Sequence, residues 1–207
     1  QLAKFLMKSL ESARRGEQLG GMVASLAPLK DPSFRLESIA PRRATSPADF
    51  KDPAYVESLL KYRALQGIVS CGDELEVYRK QGMNQDAAWN AAALSLVTTA
   101  KSHCYFFMHT KFNEQIAQCK DAKVVAALRR LSALYGCSQV LDGQGWHGIV
   151  STAEAKHVQK AVTELMDELR PDACALVDAF DIPDRVLNSV LGRRDGNVYE
   201  ALFQAAK

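Results

Sequence analysis

An all-α fold, an antiparallel bundle of long helices, is predicted by three features of the sequence. Apolar residues recur at three- and four-residue spacing through several long segments. Helix caps stand at the starts of those segments. No stretch alternates apolar and polar residues between turn signals, as a half-buried strand would. Short loops between the long segments make neighbouring helices run antiparallel.

The first predicted helix covers about residues 1–15, with Leu2, Phe5, Leu6, Leu10 and Ala13 on one stripe. Gly16, Gly20 and Gly21 end it. From there to Asp52 the chain carries Pro28, Pro32, Pro41 and Pro47 and holds no sustained period. Long connections of this kind are linkers or functional loops, so a domain boundary is placed here. The expected division is residues 1–15 as the end of a preceding helical domain, 16–52 as the connection, and 53–207 as the carboxy-terminal helical domain.

Asp52-Pro53 is a helix start: the carboxylate caps, and proline takes the first helical position, where its missing N–H costs nothing. The stripe Val56, Leu59, Leu60, Ala64, Gly67, Ile68, Cys71 and Leu75 follows, and Gly82 closes the helix. One long helix is predicted from Asn84 to Gln118, with Trp89, Ala93, Leu96, Val97, Ala100, Cys104 and Phe107 facing inward. Asp121 caps the next, whose stripe is Val124, Val125, Leu128, Leu131, Leu134 and Tyr135. After a glycine-rich loop, Ser151 and Glu154 have the spacing of a capping box. That helix is expected to reach Leu169. Pro171 opens or kinks another through Phe180, and short pieces follow Pro183 and Asn197. There is no internal repeat.

The 207 residues are 47% hydrophobic and 24% charged, an ordinary globular composition with a formal net charge of +2. Lysine and arginine are interleaved with acids, which argues against a nucleic-acid partner. The longest apolar run, Ala91 to Val97, is far short of the roughly 20 residues of a membrane span. Cys71, Cys104, Cys119, Cys137 and Cys174 are odd in number and show no CxxC pair, so five reduced thiols and an intracellular compartment are expected.

Candidate site residues each have a plainer reading. Gly143 to Gly148 matches GxGxxG, yet a helix rather than a strand precedes it, which leaves an inter-helix loop as the better account. His103, His109, His147 and His157 form no i,i+4 pair and no zinc pattern. His103 borders the apolar stripe as a packed core histidine would, and His147 lies on the loop beside Trp146. Asp178, Asp181 and Asp184 are close enough for a metal site, but their neighbours suggest a helix end, a turn and a new cap. Arg193 and Arg194 beside a helix start could hold an anion, while Asn197 or Asp195 with Glu200 reads as a cap.

The stretch Leu169 to Glu200 resembles the closing signature of the acyl-CoA oxidase family, chiefly through Ala175–Phe180 and Asp195–Glu200. Ala3–Ser9, Gly21–Val23, Ala88–Asn90 and Ser102–Cys104 also fall where similar runs do in that family. Arg194 departs from the aromatic residue expected before Asp195. The resemblance implies a flavoprotein that desaturates fatty acyl-CoA at the α and β carbons and passes electrons to oxygen, giving hydrogen peroxide. It places the glutamate base upstream of Gln1, so no catalytic, cofactor-binding or metal residue is expected in this chain. FAD and acyl-CoA belong, on this reading, to a parent enzyme, with the amino-terminal portion and a second subunit of a homodimer as partners and the peroxisome as location. The chain alone is then inactive, and its first helix, parted from its neighbours, is expected to leave Leu2, Phe5, Leu6 and Leu10 uncovered. The competing reading is a free-standing helical interaction module without catalytic activity. A parent reading frame extending upstream of Gln1 would separate the two.

Overall fold

The computed structural model describes residues 1–142, 146 and 148–206. It is helical throughout, with no strand among the described residues. The α-helices are α1 (Leu2–Arg14), α2 (Pro53–Lys80), α3 (Gln85–Ala91), α4 (Ala93–Ile116), α5 (Ala122–Asp142), α6 (Thr152–Leu169), α7 (Ala173–Asp178), α8 (Asp184–Leu187) and α9 (Val198–Ala205). The chain falls into two compact units, Gln1–Glu168 and the residues from Leu169 onward.

In the first unit α2 is the axis, and its stripe packs as the sequence predicts, with Val56 through Leu75 buried. Its two halves serve two apolar clusters. The second half meets Leu6, Met7 and Leu10 of α1, Val23 and Leu26 of the connection, and Ala88 of α3. The first half meets Phe50, Phe106 of α4, Cys137 of α5 and Val158 of α6. The caps hold where expected: Asp52 Oδ1 accepts from Ala54 N–H at 3.0 Å, and Asp121 Oδ1 accepts from the amides of Lys123 and Val124 at 2.8 and 3.0 Å.

Four expectations are corrected. Leu6 and Leu10 are not uncovered; both lie in the core, and of the α1 stripe only Phe5 is well exposed, at 46%. Each buried leucine is worth roughly 1.5–3 kcal/mol, which anchors α1 to α2. The connection is structured by short 3₁₀ turns at Gly21–Lys30, Leu36–Ile39 and Pro47–Lys51. Their threefold period hides such turns from a search for the α-helical repeat. The single helix over 84–118 is two, because Ala92 (φ −85°, ψ 8°) ends α3 and its amide bonds back to Ala88 and Asn90. No glycine or proline marks that break.

The fourth correction concerns phase. The buried side of α4 is Leu96, Thr99, His103, Phe106, His109 and Ile116, not Ala93, Val97 and Phe107. Polar residues occupy three of these core positions, so an apolar count settles on the wrong face. On α5 the buried residues are the small ones, Ser132, Ala133, Gly136 and Cys137, together with Val140. A Cβ on Gly136 would lie 2.1 Å from Val56 Cγ1, so the α2–α5 crossing is closer than any side chain permits.

In the second unit, Arg170–Asp172 is a 3₁₀ turn leading into α7. Asn188 ends α8 in the left-handed region (φ 47°), a conformation asparagine tolerates better than most residues. No side chain from Arg170 to Ala206 is buried.

Candidate functional site

The most developed polar arrangement lies inside the first unit, where α2, α4 and α5 meet. His109 and Ser132 are wholly buried. Ser132 Oγ donates to Asn113 Oδ1 at 2.6 Å, so its single proton is committed and it must accept from His109 Nε2, 3.2 Å away. His109 Nδ1 is then the acceptor for Asn113 Nδ2 at 3.2 Å. The three side chains close a ring in which each donor has an acceptor. The other N–H of Asn113 donates to Glu57 Oε2 at 2.8 Å, tying in α2, and Tyr135 of α5 stacks on the imidazole with centroids 6.3 Å apart.

Serine, histidine and glutamate here follow the order of a nucleophile, base and carboxylate, but the geometry does not serve that chemistry. The hydroxyl proton points to Asn113 rather than to the ring. His109 Nδ1 stands 3.7 Å from Glu57 Oε2, beyond a hydrogen bond. The ring orients three helices. Sequence reasoning passed over it because its members lie on separate elements; the i,i+4 pair His109 and Asn113 on one helix is the only local signal.

A second network joins the connection to α6. The capping box forms: Ser151 N–H donates to Glu154 Oε2 at 2.8 Å and Glu154 N–H donates to Ser151 Oγ at 3.2 Å. Glu154 also accepts from Arg43 Nη1 at 3.1 Å and from Ala44 N–H at 2.9 Å. Burial alone would raise its pKa, but the Ser151 amide and hydroxyl, the Ala44 amide and Arg43 bring it below the ordinary value. In the connection itself, the Arg42 guanidinium and the Thr45 and Ser46 amides hold the Asp49 carboxyl well below the usual range.

The other sequence candidates separate. His103 is buried at 1% exposure and stacked near Phe107; burial pushes its pKa down, and the Met22 backbone offsets that only in part. His157 is half-buried on α6. His147 and residues 143–145 of the GxGxxG match lie outside the described residues. In the second unit, Asp178 pairs with Arg194 at 3.4 Å, Asp184 accepts from the Arg194 amide at 3.3 Å, and Asp181 sits in a left-handed turn (φ 49°). Among the described residues no three His, Cys, Asp or Glu groups are placed to hold a metal. Arg193 is taken by Asp195, whose pKa falls to about 2, the Arg193 hydrogen bond first among the causes. Asn197 makes no side-chain cap, and Glu200 accepts instead from Gln204 at 2.7 Å. The anion reading therefore meets two arginines already engaged by carboxylates. All five cysteines are free thiols, and burial pushes Cys71 up to about 11 and Cys137 up to about 12.

Two of the concavities in the first unit are lined by tryptophan. A cleft of about 320 Å³ is lined by Arg63, Lys101, Tyr105 and Trp146. A larger open groove of about 1100 Å³ runs between α1 and α3–α4, with Ala3, Met7, Trp89, Leu96 and Val97 along its floor. Trp89 Nε1 is buried there without a hydrogen-bond partner among the described residues. No described helix is long and apolar enough to cross a membrane.

Comparison with known proteins points one way. The family model for acyl-CoA oxidase matches residues 52–207. Peroxisomal acyl-coenzyme A oxidase 1 of Phascolarctos cinereus is 34% identical over 210 residues, covering 100% of this chain and 32% of the relative. The structure of an acyl-CoA oxidase from tomato superposes with a TM-score of 0.79 at 27% identity, covering 99% of this chain and 30% of that one. Acyl-CoA oxidase-1 of Caenorhabditis elegans, solved with FAD and ATP, gives 0.78 at 26% identity, covering 100% and 30%. The chain spans about a third of the length of the relatives it matches.

Proposed function

Because the chain belongs to the acyl-CoA oxidase family, we propose that it is the carboxy-terminal helical part of a flavin-dependent acyl-CoA oxidase, with a structural rather than a catalytic share in the reaction. The observation that carries this reading is coverage: relatives match it from end to end, yet it accounts for only 32% of their length. The parent would convert acyl-CoA and oxygen to trans-2-enoyl-CoA and hydrogen peroxide, as a step in fatty acid β-oxidation in the peroxisome. FAD would supply the hydride acceptor in that parent. Residues 1–15 are taken as the end of the preceding helical domain and 53–207 as the domain that supports the catalytic core and the homodimer.

The interior of the chain supports a structural role. Its two best-formed polar networks consume their hydrogen-bonding groups internally, and Ser132, His109 and Glu154 are buried. Proton abstraction needs a base within hydrogen-bond reach of an accessible substrate carbon. Ser132, His109 and Glu154 are closed off from substrate, and the resemblance to the acyl-CoA oxidases assigns the glutamate base to the region upstream of Gln1.

The test compares the 207-residue chain with its full-length parent. The parent is expected to be yellow and to form peroxide from a long-chain acyl-CoA, and the short chain to be colourless and inactive. Flavin-dependent turnover by the short chain would refute the assignment, and a colourless, inactive parent would favour the free-standing interaction module.

A further inference from the structure

Charged and aromatic side chains that neither polar network uses come together in the cleft between α2, α4 and the end of α5. Arg63 of α2 lines it at 7% exposure, and cations are seldom so deeply buried. The guanidinium is built into the α2–α4 contact. A Cβ on Gly67 would lie 3.0 Å from Arg63 Nη1 and 3.2 Å from Thr99 Oγ1, so a side chain at that position would crowd both. Thr99 Oγ1 in turn donates to Gly67 O at 3.1 Å. Arg63 is engaged within the protein; what it brings to the cleft is charge, acting where little water screens it. Lys101 of α4 is exposed, lines the same cleft and forms no ion pair among the described residues. Against these two cations stands one lining carboxylate, Asp142. The remaining walls are largely apolar. Tyr105 and Trp146 supply aromatic rings, and Leu60 and Val97 supply aliphatic surface. Trp146 Nε1–H donates to Gln139 O at 3.1 Å. That fixes the indole and spends its one donor, so it offers ring surface alone.

We propose that this cleft binds a small monocarboxylate with a flat aromatic body. The surplus of one positive charge in the lining suits a monoanion rather than a phosphate dianion. The carboxylate meets Lys101 within the field of Arg63, a charge-assisted contact. The ring of the ligand lies against Trp146 and Tyr105 in the offset or edge-on arrangement that aromatic pairs prefer. A volume of about 320 Å³ stands near the lower end of the roughly 300–1,000 Å³ of small-molecule pockets. It is too small for a coenzyme A thioester, so the ligand is distinct from the substrate of the reaction proposed above, and the site does not depend on that reaction.

The experiment is equilibrium dialysis of naphthoate against the full-length parent, unaltered and carrying Lys101→Gln, Lys101→Arg, Trp146→Leu or the control Lys123→Gln. Lys101 is exposed, so its replacement leaves the core intact, and Lys123 is an exposed lysine of α5 outside this cleft. Expected is one naphthoate bound per chain. Lys101→Gln should weaken binding about tenfold, the effect of losing one hydrogen bond to a charged group. Trp146→Leu should weaken it severalfold, and Lys101→Arg and Lys123→Gln should leave it nearly unchanged. Naphthalene methanol, which lacks the charge, and octanoate, which lacks the ring, should both bind more weakly than naphthoate. Absence of saturable binding overturns the proposal, as does binding indifferent to Lys101→Gln. Naphthalene methanol or octanoate binding as tightly as naphthoate also overturns it, because charge or ring then plays no part. So does inorganic phosphate that displaces naphthoate at equal concentration, since the site would then take anions in general. Naphthoate that ignores Lys101→Gln in a yellow, peroxide-forming parent removes the cleft proposal alone. A colourless, inactive parent that still binds naphthoate through Lys101 removes the oxidase reading alone.

Discussion

The two units differ in what holds them. From Gln1 to Glu168 the long helices share apolar clusters around α2 and are pinned by buried polar networks. From Arg170 onward no side chain is buried, Phe180 is 77% exposed and Tyr199 is 85% exposed. The second unit is held by local devices: an aspartate in a left-handed turn, arginine–aspartate pairs and one-turn helices. Exposed ion pairs of that kind contribute about 0–1 kcal/mol each. Yet this segment lies within the residues that the acyl-CoA oxidase family model matches. Its residues are therefore not explained by a core of its own, whereas nearly every buried residue of the first unit is.

The sharpest way to break the contrast is a pair of glycine substitutions. Gly136→Ala puts a methyl group 2.1 Å from Val56 Cγ1 inside the core, whereas Gly192→Ala meets Leu187 Cδ1 at 3.2 Å on an exposed surface side chain. Overpacking at Gly136 is expected to cost about 3 kcal/mol, more than the roughly 1 kcal/mol gained in helix propensity. The thermal midpoint should fall by several degrees for Gly136→Ala and hardly move for Gly192→Ala. Equal midpoints would mean that the α2–α5 crossing has room to relax.

A smaller loss is expected on opening the polar ring. Ser132→Ala leaves His109 Nε2–H and Asn113 Oδ1 without their partner, which should cost about 1–3 kcal/mol in urea unfolding. Adding Asn113→Ala should cost less than the two single losses summed, since both disrupt one network. Strict additivity would show that the ring is not cooperative.

Acid should act more gently, and on the first unit. Glu154 has a folded pKa below its ordinary 4.5, so the stability it confers is present above about pH 4.5 and is lost as pH falls through the lower folded value. Thermal midpoints measured from neutral pH down to about pH 3 should decline less steeply in Glu154→Gln, which has no carboxylate there to protonate. Parallel decline in both proteins would place the acid sensitivity elsewhere.

Much of the first unit was legible in the sequence and little of its interior was. The α2 stripe and the Asp52, Asp121 and Ser151 caps stand where spacing put them, because each depends on residues a few positions apart. The faces of α4 and α5 were misjudged for one physical reason. Thr99, His103, His109 and Ser132 are polar but find hydrogen bonds or aromatic neighbours inside, and Gly136 is buried because the helices touch there. Val23, Leu26 and Phe50 sit in 3₁₀ turns whose period an α-helical search does not register. The α1 stripe expected to stand uncovered does not, since Leu6 and Leu10 are buried and only Phe5 of it is well exposed. Function was legible through family resemblance and not through any catalytic constellation.

The closed ring of Ser132, His109 and Asn113 has a mechanical consequence. Leucine contacts between helices are forgiving, since one methyl group can replace another after a small slide. The ring closes at only one axial offset of α4 against α5, and a slide of even one residue, about 1.5 Å, would strand all three side chains in a dry interior. It works like the keyway on a shaft, transmitting torque and thrust without slip. Any push delivered to one end of α4 should therefore arrive at α5 as rigid displacement rather than be absorbed in between.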